Sequence, residues 1–354
     1  MAGGNVLRTA ARGGHGGRPA AAPSASDPEI VARADGLGYA YRPGEFAVRH
    51  LDLELRRGEI FGLLGRNGAG KTTTVRLLTT LLPPTEGSGS LFGRDLRECG
   101  RAERARMGVV LQSESLDFVS VERNLMLYAF LWGVSRESAK SRTEEMLELF
   151  ELTPSRQRKP WALSGGERRR FQVARELMHD MELLFLDEPT VGLDALTRRR
   201  ILTYLAGRAR AGLSIVFTTH ILHEADELCD RIGILQHGRL RASGAPQDLK
   251  REYRGARFVE AELDRPLTAE EGRDLDAALA RRNPEYVEVA RGPTRLEFRA
   301  PEAEGLVAEL AAWASARGTR LLRIAVREPT LEEAFVGLVQ EGAPELEGEE
   351  VEGS

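Results

Sequence analysis

The sequence predicts an α/β fold: a mostly parallel β-sheet covered by helices on both faces, followed by a small α+β domain. Three observations lead there. Between 162 and 220, apolar strand-like runs alternate with helical ones. The run Gly65-Arg66-Asn67-Gly68-Ala69-Gly70-Lys71-Thr72 fits the phosphate-binding pattern G-x-x-x-x-G-K-[ST] and lies between an apolar run and a helical one. Beyond Gly244 the pattern changes, and half-apolar alternation replaces fully apolar strands.

Taken in order, residues 1–28 are rich in Ala, Gly, Pro and Arg with no acid before Asp27, and read as a disordered tail. They lack the apolar stretch of a secretory signal. From about Glu29 the chain reads as β-rich, and Val48 to Leu55 alternates before the turn at Arg57-Gly58. Ile60 to Leu64 reads as a buried strand, and Thr72 to Leu82 as a helix stopped by Pro83-Pro84. Ser88 to Phe92 and Met107 to Leu111 read as short strands, and 122–152 as helical. Next come helix Gly166 to Met178, strand Leu183 to Asp187, helix Ala195 to Arg210 and strand Ser214 to Thr219. The smaller domain, 246–340, carries strands at Arg257 to Leu263, Tyr286 to Ala290, Arg295 to Arg299 and Arg320 to Val326. Its helices are placed at Glu302 to Ala316 and Thr330 to Val339. An acidic tail, 341–354, reads as disordered. The expected domains are therefore 29–245 and 246–340 between two tails.

The 354-residue chain has the length for two cores, and a net charge of −4 argues against nonspecific nucleic-acid binding. Cys99 and Cys229 are the only cysteines, so no disulfide framework is expected and a reducing compartment is. No apolar run approaches the ~18 residues of a membrane-spanning helix. Action at a membrane would need another chain to cross it.

The glycine loop lets backbone N–H groups turn inward around phosphate oxygens at a helix N-terminus. Lys71 is expected to reach β- and γ-phosphates, and the Thr72 hydroxyl to ligate Mg²⁺. Leu183-Leu184-Phe185-Leu186-Asp187-Glu188 is an apolar strand ending in two acids, at the strand end where a nucleotide sits. Asp187 is expected to hold Mg²⁺, and Glu188 to take a proton from the attacking water. Ser164-Gly165-Gly166 opens a helix and can offer a hydroxyl and bare N–H groups to a γ-phosphate; read alone, it is a Ser N-cap with a turn. His220 and His223 have H-x-x-H spacing without a third metal ligand nearby, so a helix entry is the expected reading there.

With these motifs assembled, the chain resembles the ATP-binding-cassette (ABC) ATPases over about residues 29–245. LSGGE at 163–167 is similar to the family signature, and LLFLDEP at 183–189 to its Walker B strand with catalytic Glu188. The resemblance implies a P-loop NTPase fold with an ABC-type helical subdomain. It implies Tyr41 as the aromatic on adenine, preferred over Tyr39, and Asn67, Gly68, Gly70, Lys71, Thr72 and Thr73 as phosphate-loop contacts. It also implies Gln112 as the Q-loop glutamine near Mg²⁺, Asp194 in the D-loop and His220 as the switch histidine. Arg66 and Ala195 depart from common forms at positions with no catalytic role.

ATP and Mg²⁺ are the implied cofactors. Ser164, Gly165 and Gly166 would act from a second subunit, so one cassette per chain implies a dimer, with itself or with a paralogue. The resemblance further implies a separate integral-membrane permease, contacted by Ser113 to Leu131, and a place on the inner face of the cell membrane. The segment Glu328 to Phe335 resembles the tails of exporter-type ATPases in bacterial drug, polysaccharide and lipid efflux. An alternative is a soluble ABC ATPase acting on ribosomes or nucleic acid. The single cassette, the short Lys71–Asp187 spacing and the slight acidity disfavour it. A kinase-type P-loop protein is disfavoured by LSGGE and His220.

Overall fold

The computed structural model describes residues 30–111, 118–252, 257–282 and 285–341. The two tail assignments and Gln112 lie outside them. The chain opens with a hairpin, β1 (Ile30–Arg42) and β2 (Glu45–Arg56), followed by β3 (Ile60–Leu64), α1 (Lys71–Leu78), β4 (Glu86–Leu91) and β5 (Arg94–Asp95). After α2 (Arg101–Arg104) and β6 (Met107–Val110), three helices project: α3 (Val121–Leu131), α4 (Arg136–Leu149) and α5 (Gly165–Glu176). Then come β7 (Leu183–Asp187), α6 (Ala195–Arg210), β8 (Ser214–Thr219), α7 (Leu222–Leu228), β9 (Arg231–Gln236) and β10 (Arg239–Gly244). The rest is α8 (Pro246–Glu252), β11 (Arg257–Leu263), α9 (Ala269–Arg282), β12 (Val287–Arg291), β13 (Arg295–Ala300), α10 (Ala303–Ala316), β14 (Leu321–Arg327) and α11 (Leu331–Glu341).

The central sheet has six strands in the order β10-β9-β3-β8-β7-β6, parallel except for the β9–β10 hairpin edge. Its inner strands β3 and β7 read as continuous apolar runs because both faces are buried. In β7, Leu184 and Leu186 pack into the core with α3, α5 and α6, while Leu183 and Phe185 pack under the antiparallel sheet β2-β1-β4-β5. In β3, Leu64 and Phe61 divide in the same way. The parallel register Leu64↔Thr219 and Asp187↔Thr218 brings three strand ends to one edge, where the motifs lie.

The helical stretch expected over 122–152 is two helices. Gly133 takes φ 77°, and Ser135 caps α4 by accepting the Ser138 N–H at 3.2 Å. The third sheet, β12-β13-β11-β14, is antiparallel and packs one face on α9 and α10 through Val259, Ala261, Leu296, Phe298 and Leu310. Two elements within the span expected for this domain, the unexpected α8 and the expected last helix, pack elsewhere. Leu249 of α8 and Leu331 of α11 are buried in the core of the main sheet, with Phe335 and Leu338 against it. The last helix thus returns to the first domain.

Candidate functional site

The loop from β3 to α1 is threaded between β2 and β9. A Cβ at Gly70, which has φ 105°, would sit 2.4 Å from the Ala47 carbonyl oxygen, and one at Gly65 would sit 2.6 Å from that of Leu235. Glycine is therefore required at both positions. Lys71 is buried, and its ammonium donates to the carbonyls of Gly65 at 2.8 Å and Arg66 at 3.3 Å. It lies 3.5 Å from the Glu188 carboxylate. A cavity of about 470 Å³ opens over the loop, lined by Tyr41, Asn67, Gly68, Gly70, Lys71, Thr72, Thr73 and Glu188. The Tyr41 hydroxyl is 3.4 Å from that of Thr73. Tyr41 is exposed to the cavity, whereas Tyr39, edge-on to it at 5.0 Å, packs against the core.

Asp187 is fully buried at the end of β7, where its carboxylate accepts the Thr72 hydroxyl at 2.7 Å and the Thr218 hydroxyl at 2.5 Å. Glu188 then turns into the left-handed region with φ 53°, at a cost of roughly 1 kcal/mol. Its N–H donates to the Thr218 carbonyl at 3.1 Å and hydroxyl at 3.0 Å, which offsets that strain. The turn sends the two acids apart, and Glu188 faces Lys71 and His220, whose Nδ1 is 3.3 Å from Oε1. A carboxylate, a cation and an imidazole thus share one edge with two hard oxygen donors, Thr72 and Asp187. Among the described residues, no group of three or more His, Cys, Asp or Glu could hold a metal. Any divalent ion there would take its remaining ligands from substrate and water, the usual habit of Mg²⁺.

Thr218 and Arg169 went unread in the sequence. Arg169 donates to the Asp187 carbonyl and, at 2.8 Å, to that of Leu111, so it ties the ends of β7 and β6 together. Burial lowers its pKa, opposed by the Asp187 and Glu188 charges. Thr218 is the penultimate residue of an all-buried strand, two residues before the candidate histidine, and no local pattern marks it as a site residue.

Ser164 caps α5 in a reciprocal box: its Oγ accepts the Glu167 N–H at 3.2 Å, and Glu167 accepts the Ser164 N–H at 2.8 Å. The Ser155 hydroxyl at 2.5 Å, with the Ser164 amide, holds the Glu167 carboxyl at about 2. Gly165 leaves open space where a side chain would stand. Asp194 caps α6, accepting the N–H groups of Leu196 at 3.1 Å and Thr197 at 3.0 Å; the Thr197 bond leads in lowering its pKa. Ser164, Gly165, Gly166 and Asp194 do not line the Lys71 cavity of their own chain. Beside that cavity, Phe335 of α11 meets Arg66, His220 and His237 around a second space of about 610 Å³.

The family profile described as ABC transporter matches residues 48–191. The doxorubicin resistance ATP-binding protein DrrA of Mycobacterium tuberculosis is 35% identical over 325 residues, which cover 90% of this chain and 96% of that protein. The linearmycin resistance ATP-binding protein LnrL of Bacillus subtilis is 33% identical over 82% of this chain and 93% of its own. Among solved structures, the ATP binding subunit of an ABC transporter superposes with a TM-score of 0.59 at 27% identity, over 63% of this chain and 93% of that one. A dimeric ATP-binding cassette, MJ0796, in a post-hydrolysis state bound to ADP and Pi gives 0.56 at 26% identity, over 60% and 98%.

Proposed function

The chain belongs to the ABC transporter family as an ATP-binding subunit, and from that premise we propose how its ATP hydrolysis powers export through a separate membrane permease. The substrate class is that of a drug, lipid or polysaccharide-like molecule. The resistance functions in the names of the M. tuberculosis and B. subtilis relatives support this direction of transport.

The observation that carries the mechanism is the division of the motifs over two surfaces. Lys71, Thr72, Asp187, Glu188 and His220 share one strand edge, while Ser164 to Gly166 open a helix that does not line that cavity. Two copies facing each other would clamp ATP between the loop of one and the α5 N-terminus of the other. Tyr41 would stack on the base, and Asn67, Gly68, Gly70 and Thr73 would hold phosphates. Asp194, capping α6, would stand at the same seam. Thr72 and Asp187, joined by Gln112, would hold Mg²⁺. The ion would offset charge on the phosphates. Lys71 adds a fixed cation. Glu188 accepts the proton of the attacking water, and His220 orients that carboxylate and the γ-phosphate. ATP binding favours the closed pair because only that state contacts it from both sides, and hydrolysis removes the preference.

No helix among the described residues is long and apolar enough to cross a membrane. The permease would dock on the helical layer, where Phe118, Leu127, Phe130, Leu131 and Trp161 stand exposed next to α3. In this reading the chain sits at the inner face of the cell membrane, with 29–245 as engine, joined by α8 and α11, and the rest of 246–340 as accessory domain. The test is coexpression with a cognate permease. ATPase activity, membrane recruitment and cell resistance should rise together, and a chain that remains in the soluble fraction beside its permease contradicts the reading.

A further inference from the structure

We propose that Glu224 is a positioning residue for hydrolysis, a buried carboxylate that fixes Glu188 and His220 relative to each other and to the loop before α6. This inference rests on the roles proposed above for those two residues. Glu224 sits on α7 with its side chain wholly out of solvent. A lone charge there would be costly, so its partners explain its presence. The Thr190 hydroxyl donates to Oε2 at 2.8 Å, and the Thr219 hydroxyl lies 3.4 Å from the same oxygen. Arg198 Nε lies 3.1 Å from Oε1.

The positions of these partners give the carboxylate its meaning. Thr190 lies two residues past Glu188, and Thr219 immediately precedes His220. Thr219 Oγ1 also accepts the Ile221 N–H at 2.9 Å, so the turn carrying His220 is pinned on both sides. Arg198 donates to the Leu193 carbonyl at 3.1 Å, one residue before Asp194. A single carboxylate therefore references three segments: the one after the base, the one holding the histidine, and the loop that would face a second subunit. Thr218 fixes the other side of the same edge through Asp187 and the Glu188 amide, so the two threonines of β8 serve opposite faces. Glu224 touches neither Lys71 nor the cavity lining, so it acts only through its neighbours.

The test uses the full chain and four variants: Thr219→Val, Glu224→Gln, His220→Ala, and Thr219→Val combined with His220→Ala. Thr219→Val keeps the shape and leaves the Arg198–Glu224 pair in place, so it carries the test if Glu224→Gln does not fold. Thr219→Val should lower kcat about 10- to 100-fold, with KM for ATP and melting temperature near wild type. Glu224→Gln should lower kcat in the same range. On the His220→Ala background, Thr219→Val should change kcat less than about twofold, since both act through one group. A merely structural role would lower thermal stability and nucleotide binding together and multiply with His220→Ala. Wild-type kcat in Thr219→Val, or full multiplication with a slow His220→Ala, overturns this inference alone. A His220→Ala chain that turns over normally overturns the histidine assignment itself, and the inference with it.

Discussion

Two of the three sheets, the central parallel one and β12-β13-β11-β14, spend their charged residues in opposite ways. At the edge of the parallel sheet, Lys71, Asp187, Glu188 and His220 converge, and their contacts run through loop carbonyls and threonine hydroxyls. On the outer face of the antiparallel sheet, charges cancel one another. On β11, β13 and β14, Arg327 meets Glu260 and Glu297 and reaches Glu333 of α11, and beside that sheet Arg265 pairs with Glu271 of α9. The first arrangement leaves Lys71 and Glu188 lining a cavity, and the second pairs its side chains in a lattice. Arg327 also anchors the start of α11 to this sheet through Glu333.

The largest expected effect breaks the reactive side. Glu188→Gln keeps the volume and removes the proposed base, so kcat should fall by roughly 10²–10⁴-fold while ATP still binds. Gel filtration with ATP should show an accumulating dimer. Normal turnover by this variant would remove Glu188 from the mechanism.

The second effect probes the bridge between the regions. Leu331 is 2% exposed and buried in the core of the first domain. Leu331→Ala should destabilise by about 2–4 kcal/mol, read as a lower midpoint in denaturant by probes in the first domain. If the two domains were independent units, only the second would respond.

A third effect contrasts acids. Glu176 ends α5 between the helical layer and β6, where burial lifts its carboxyl to about 7 against the pull of Arg175. A folded pKa above the ordinary 4.5 means the proton is bound more tightly in the native state. Its contribution is complete below about pH 4.5 and is lost as pH rises to 7, roughly 1–3 kcal/mol in all. Glu271 runs the other way: hydrogen bonds from Arg265 lead in holding it at about 2, so its contribution disappears as acid is added. Stability curves against pH should lose the neutral-range slope in Glu176→Gln and the acid-range slope in Glu271→Gln.

The parallel sheet was more legible in the sequence than the antiparallel one, and burial is the reason. Leu183–Asp187, Ser214–Thr219 and Ala195–Arg210 fall where the alternation of apolar and helical runs places them. Strands buried on both faces announce themselves without alternation. The helix α9 went unread, although Thr268 and Glu271 form a reciprocal cap, N–H to carboxylate at 2.8 Å and N–H to hydroxyl at 3.2 Å. The β9–β10 hairpin went unread too. Its turn at His237-Gly238, both with positive φ, is stabilised by the backbone bond from Arg49 to the Gly238 carbonyl, which no local pattern encodes. At the site, residues with intrinsic chemistry were readable. Thr218, Arg169 and Glu224 were not, because their roles come from partners 31, 18 and 34 positions away.

The smallest expected effect lies within one strand and separates packing from recognition. Tyr39 and Tyr41 point to the same side of β1 two residues apart, yet one ring meets the core and the other the cavity. Tyr41→Ala should raise KM for ATP by about 3- to 10-fold, about 1 kcal/mol of lost aromatic contact, with kcat and melting temperature unchanged. Tyr39→Ala should do the reverse, lowering the melting temperature while leaving KM alone. A KM increase from Tyr39→Ala equal to that from Tyr41→Ala would mean that the edge-on pair binds the base as a unit, and that the line between scaffold and site does not fall between these two rings.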